Sequence, residues 1–249
     1  MVTAILIGAT VVGAITQRLT GMGFAMVLSP VLVLLLGPFE GILLVNFFSV
    51  INSGMMAIRS RRDIEWGTLG LLVVPAIVAI VPGSWLTTAL PAPVLQMAVG
   101  VLVVAAMSAS LLIARMSVDE FPRRPTAVVS GAVSGLFSTA AGVGGPVITA
   151  FAVLTRWSQA GFSATLQPYF TIVAASSLVT KLAFAGGGFP ALEPLTWVAL
   201  LVAMFAGQYL IGGMVVRFVD ARLARGLVIA IAYIGGVLAF LGGVQAVVA

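Results

Sequence analysis

The residues of this chain that could do chemistry are few, and the missing types narrow the choice. Across 249 residues there is no cysteine and no histidine. Thiolate and imidazole metal ligands, disulfides and the usual near-neutral proton shuttle are therefore excluded. All seven carboxylates, Glu40, Asp63, Glu65, Asp119, Glu120, Glu193 and Asp220, fall at the ends of apolar segments, leaving no acid and base paired within one. An enzyme would have to work without such a pair. What remains are two glycine turns, Gly21-Met22-Gly23-Phe24 and Gly142-Val143-Gly144-Gly145. Gln17, Arg18 and Thr20 precede the first, and Ser138 and Thr139 precede the second. If each turn opens a helix, the first backbone amides lack internal partners and carry partial positive charge. Glycine lets a ligand approach them and permits positive φ, and Pro146 suits the first helical position, where its missing N–H costs nothing. Two such ends facing one space would bind an anion. Asn46 and Gln167 add amide donors, with helix-to-helix bonding as their other use. The plainer use of Gly-x-Gly is close helix packing; two turns at equivalent positions, each opening a short helix, favour the ligand.

The elements that must position these groups are apolar helices. Hydrophobic residues make up 61% of the chain and charged ones 8%, against about 25% charged in soluble domains, and the mean hydropathy is +1.22. An all-α polytopic membrane protein is expected, with the bilayer as its solvent. The formal charge of +5 lies in short links between apolar runs, so it is a topology signal and not a nucleic-acid footprint. Helices are predicted at Thr3 to Leu19, Phe24 to Leu36, Glu40 to Ile58, Trp66 to Leu90 and Ala92 to Arg115. A second set runs Thr126 to Ala141, Pro146 to Thr155, Ser158 to Phe184, Leu195 to Arg217 and Ala221 to Val247. The first run lacks a basic lead and is expected to be a helix of the mature chain and not a cleaved leader. The chain reads as one membrane domain, 1–249: repeat one at 3–115, a cytoplasmic link at 116–125, and repeat two at 126–249. Three coincidences in register support the duplication: the glycine turns, Asn46-Phe47-Phe48 with Gln167-Pro168-Tyr169, and Gly83-Ser84-Trp85-Leu86 with Gly207-Gln208-Tyr209-Leu210.

Orientation follows from arginine. The clusters Arg59/Arg61/Arg62, Arg115/Arg123/Arg124 and Arg217/Arg222/Arg225 place three loops in the cytoplasm of a bacterial-type inner membrane. Both termini then lie outside, and the two halves are inverted relative to each other. Phe24 to Leu36 and Pro146 to Thr155 span only about 15 to 20 Å at 1.5 Å per residue. They read as half-helices of re-entrant hairpins, or as members of tilted pairs, that bring both turns toward the membrane interior. Arg18 has two readings, a guanidinium facing the anion or a side chain snorkelling to the interface. Lys181 reads as snorkelling at the outer end of its helix, and Arg156 as an interfacial anchor. Pro168 should free the carbonyl of Ala164.

With these turns and this two-fold order, nearly the whole chain resembles the sulfite exporter TauE/SafE family, also called the 4-toluene sulfonate uptake permeases. The resemblance implies export or uptake of sulfite, organosulfonates and related sulfur-containing or carboxylate anions. No cofactor is expected. The candidate substrate-binding residues are Arg18, Thr20, Gly21, Gly23, Phe24, Asn46, Ser138, Thr139, Gly142, Gly144, Gly145 and Gln167. Potential-driven export is the expected mechanism, with a passive anion channel or an uptake permease as alternatives; a homodimer is compatible with any of these. The orientation is checked by single cysteines in this cysteine-free chain: a cysteine at position 61 should react with a membrane-impermeant thiol reagent from the cytoplasmic side only, and strong labelling from outside would invert the map.

Overall fold

The computed structural model describes residues 2–115, 120–185 and 189–248. Residues 116–119 of the expected link, Asp119 among them, and residues 186–188 of the opposite link lie outside this set. The described residues form helices and no strand. The first five are α1 (Val2–Thr20), α2 (Gly23–Leu36), α3 (Pro38–Ser60), α4 (Trp66–Ala89) and α5 (Ala92–Arg115). The next are α6 (Arg123–Ala141), α7 (Gly145–Leu154), α8 (Gln159–Ala185), α9 (Pro194–Val215) and α10 (Ala221–Val248). Each of the ten expected segments is thus a helix. Among the described residues, α1, α3, α4, α5, α8, α9 and α10 are long and apolar enough to cross a bilayer, while α2 and α7 are short.

The sequence sets these boundaries locally. Pro38 and Pro194 stand in the first turns of α3 and α9, where proline is pre-shaped for a helix start. Gly142 ends α6 in the left-handed conformation, with φ 71°, and Gly21 leaves α1 with φ 81°. A side chain at either position would be strained. Pro168 lies inside α8, and the carbonyl it frees on Ala164 accepts from Ser60 Oγ at 3.3 Å. That bond ties the last turn of α3 to α8. One run of α9, Ala206–Ile211, is wound as a π-helix, and its Gln208 is buried.

The two long helices α3 and α8 pack on each other at the centre and carry buried polar residues: Asn46, Asn52 and Ser53 on α3, and Thr165, Gln167, Ser177 and Lys181 on α8. Around them α4 packs on α6 and α9 on α1; α5 packs on α7 and α10 on α2; and α5 and α10 pack on each other. These pairs exchange when α1–α5 are swapped for α6–α10. The exchange is incomplete, because α4 also packs closely on α8 whereas α3 meets α9 through long side chains, Phe47 and Phe48 against Trp197 and Arg59 over Tyr209. Valines 74, 78 and 81 with Trp85 form an exposed apolar stripe on α4, suited to lipid.

Lipid tails are as apolar as leucine, so helices here associate through close van der Waals approach more than through expulsion of water. The α4–α6 pair shows how. A Cβ at Gly135 would lie 2.8 Å from Ala76 Cα, and one at Gly131 would run into the carbonyl of Leu72, whose carbon is 3.1 Å away. Backbone is in the way at both positions, so neither neighbour can yield cheaply. Gly70, by contrast, has nothing within 4 Å of its Cβ position. Gly135→Ala should destabilise the purified protein by roughly 1–3 kcal/mol through overpacking, and Gly70→Ala should stay within about 0.5 kcal/mol; thermal unfolding in detergent separates the two.

Candidate functional site

Each glycine turn is held by the half of the chain to which it does not belong. Gln167, on α8, donates from Nε2 to the carbonyl of Gly21 at 2.9 Å, and its Oε1 accepts from Gln17 Nε2 at 3.1 Å. Gln17 Oε1 in turn accepts from the backbone N–H of Phe24, at the start of α2, at 3.2 Å. The two glutamines therefore pair groups that a broken helix leaves exposed, and both are buried. In the second turn the carbonyl of Ala141 accepts from Ser29 Oγ, on α2, and Ser134 Oγ donates to the carbonyl of Gly144 at 3.0 Å.

Both turns open onto one cavity. Its wall includes Phe24, Ala25 and Met26 from the first half and Gly142, Val143, Gly144 and Gly145 from the second, with Gln17, Asn46, Ser49, Ser53 and Ser138 as the polar side chains. Asn46 donates from Nδ2 to Ser177 Oγ at 2.9 Å. The space open to water is about 30 Å³, room for about one or two waters. A four-atom oxyanion does not fit without movement. Met22 and Met26 separate this cavity from a second of about 90 Å³, lined by Thr20, Thr149 and Arg225 among mostly apolar residues. Thioether side chains are adaptable fillers, so this wall is the softest part of the lining.

Of the twelve candidate residues, Phe24, Asn46, Ser138, Gly142, Gly144 and Gly145 line the central cavity. Gly21 and Gln167 brace the first turn from behind the lining. Thr139 is buried in a hydroxyl chain with Ser84 at 2.8 Å, and Ser84 reaches Thr180 at 2.7 Å. Thr20 donates to Thr16 O at 2.8 Å and faces the second cavity. Arg18 lies away from both cavities: its Cβ would be 3.2 Å from a Cβ at Gly212 of α9. Gly23 packs on α1, since a Cβ there would meet the carbonyl carbon of Thr16 at 2.8 Å. Gly144 is likewise closed in by Ser134, whose carbonyl oxygen is 2.8 Å from the Cβ position. Gly145 meets the free ends of side chains, Met26 Cε at 2.9 Å and Met22 Sδ and Phe170 Cζ at 3.4 Å, and unlike Gly21 and Gly142 it does not have a positive φ.

Lys181 corrects an expectation. It does not snorkel: it is fully buried, with its ammonium nitrogen 5.2 Å from the centre of the Phe39 ring. Ser49 and Ser53 were not among the candidates, although they stand three and seven residues after Asn46 and so share its helix face.

A family comparison decides what kind of protein presents this cavity. The model for the sulfite exporter TauE/SafE family matches residues 5–239. The chain belongs to the TauE/SafE family. It is thus a membrane transporter of a family that handles sulfur anions such as sulfite. No curated protein and no solved structure matches the chain.

At its arginine-rich end the TauE/SafE chain carries a polar cluster. Glu65, in the α3–α4 link, pairs with Arg123 at the start of α6. It also accepts from Trp157 Nε1 at 2.8 Å and from Thr68 Oγ1 at 3.0 Å, while its backbone N–H donates to Thr165 Oγ1 at 3.0 Å. The Arg123 guanidinium lies 5.4 Å from the Trp157 ring centre. One carboxylate thereby joins the α3–α4 link, α6 and the α7–α8 turn. Partial burial pushes its carboxyl up, but the bonds from Trp157 and Thr68 and the Arg123 charge outweigh this and hold it below the ordinary value. A depressed carboxyl contributes stability that is present above the unfolded-state value, about 4.3 for glutamate, and is lost as pH falls through the folded one. Thermal unfolding of wild type and Glu65→Gln should therefore differ by a constant amount from pH 8 to 6 and converge below about pH 4; a gap that widens toward low pH would contradict this assignment.

Proposed function

We propose that this TauE/SafE chain exports a small sulfur oxyanion, sulfite or an organosulfonate, down the membrane potential, and that its halves are inverted repeats around the central cavity. The observation that carries the reading is the lining, in which two helix starts and the neutral donors of Gln17, Asn46, Ser49, Ser53 and Ser138 converge without a carboxylate. Fully ionised sulfite and sulfonates offer several acceptor oxygens and no donor, so amides and hydroxyls complement them where carboxylates would repel. The exchange of packing partners between α1–α5 and α6–α10 supports the repeat, and the arginine-rich links support a cytoplasmic placement for the end that carries Glu65.

Direction follows from charge. An anion leaving a negative interior gains about 2.3 kcal/mol per charge per 100 mV. The chain has no histidine, and among the described residues the one carboxylate within an apolar helix, Glu40, stands in the first turn of α3, so a carboxylate or imidazole carrier of the kind common in proton coupling is missing from the middle of the helices. The route begins at the Arg225-lined cavity, passes the Met22–Met26 wall and reaches the central cavity. A water-sized centre favours a carrier that alternates over a passive channel, which needs a continuous opening.

The test is sulfite efflux from proteoliposomes holding the full chain, with the potential set by a potassium gradient and valinomycin. Efflux should accelerate as the interior is made more negative. Gly145→Ala, whose methyl meets only side-chain ends, should keep the fold and lower the flux about tenfold or more, as expected when about 1.4 kcal/mol of binding is lost. Efflux that ignores the potential and follows a proton gradient would overturn the coupling, and absence of sulfite flux would overturn the cargo.

A further inference from the structure

Lys181 is the one lysine among 12 basic residues, the rest being arginine. It is 0% exposed, and its ammonium nitrogen has no hydrogen-bond partner among the described residues. The Phe39 ring is its only polar-type contact there. A buried cation without a counter-charge costs several kcal/mol, and leucine or methionine would fill the same volume without that cost. Its position in α8 gives the cation a use. Ser177, one turn earlier on the same face, holds Asn46 at 2.9 Å, and Asn46 lines the central cavity. Phe39, under the ammonium, lines a wide open depression at the opposite end from the arginine-rich links, together with Thr87 and Phe184. Lys181 therefore stands between the two spaces, about 6 Å of helix rise beyond Ser177. Glu40 is the carboxylate lining that depression; it is exposed and makes no ion pair with Lys181.

We propose that Lys181 is a second anion subsite, which receives the oxyanion from the central cavity and releases it to the open depression. The partner missing from its surroundings is the cargo itself. While the path is closed the ammonium rests over Phe39; as the anion passes, it donates to one of the anion's oxygens and neutralises its charge where neither glycine turn can reach. This rests on the export reading above and adds a residue that the glycine-turn site does not contain.

The experiment uses the full chain in proteoliposomes with sulfite as probe, comparing wild type, Lys181→Met and Lys181→Arg for flux, and the same purified proteins for thermal stabilisation by sulfite. Removing an uncompensated buried cation should leave Lys181→Met at least as stable as wild type. It should keep the sulfite-dependent stabilisation, which reports the central cavity, while its maximal flux falls tenfold or more. Lys181→Arg, which keeps the charge, should retain more flux than Lys181→Met. Flux in Lys181→Met within twofold of wild type would overturn the subsite and leave the export reading standing. Loss of sulfite stabilisation together with flux in Lys181→Met would also overturn it, since the lysine would then belong to the central site. Neither flux nor stabilisation in wild type would overturn the sulfite cargo, and the subsite with it.

Discussion

A backbone that leaves the helix inside a bilayer must have its polar groups paired by protein, because no water is there to do so. Two helices of this chain end among packed helices in a protein of this kind, after Thr20 and after Ala141. The carbonyls freed at Gly21 and Ala141 accept from Gln167 and Ser29, each from the other half. Everything else in the centre is arranged around those bonds. They require α8 and α2 to cross close to the turns, and the cavity is the space left where the crossing cannot be filled. Loss of one donor would leave a buried carbonyl unpaired, at about 1–3 kcal/mol, and would also release the turn that walls the cavity.

The glycines divide between two tasks that compete for the same atoms. Gly23, Gly131, Gly135 and Gly144 are closed in by neighbouring helices, where any side chain meets backbone. Gly145 faces movable side-chain ends. A transporter needs both kinds near its centre, rigid contacts that carry a rearrangement from one end to the other and a lining that can yield. The Glu65 cluster is the polar counterpart of the rigid contacts, since one carboxylate ties the α3–α4 link to α6 and to the α7–α8 turn.

The helices were legible in the sequence because apolar length and Pro or Gly punctuation act locally. Every expected segment is a helix, with ends within a few residues. The glycine turns were legible for the same reason, as was the carbonyl that Pro168 frees. What could not be read was which polar groups face inward. Arg18 and Thr139 stand beside the turns in sequence, yet one packs along α9 and the other joins Ser84. Ser49 and Ser53 sit far from either turn but share a face with Asn46. Lys181 near a helix end looks like a snorkelling residue, yet it is fully buried beside Phe39 of α3. Rotation of a helix about its axis is set by its neighbours, and an apolar sequence that is hydrophobic nearly all round carries little record of it.

The small volume of the central cavity bears on how tightly this protein will be seen to hold its ligand. If the form described here dominates in the absence of cargo, only the minor, opened molecules bind. The apparent dissociation constant is then the intrinsic one divided by the opened fraction. An opened population of about 1% would weaken the observed affinity a hundredfold, about 2.7 kcal/mol, with no defect in any contact to the anion. Changes at the Met22–Met26 wall that ease opening would then tighten binding without touching the ligand, and affinity in this protein would report the poise of the fold as much as the quality of the site.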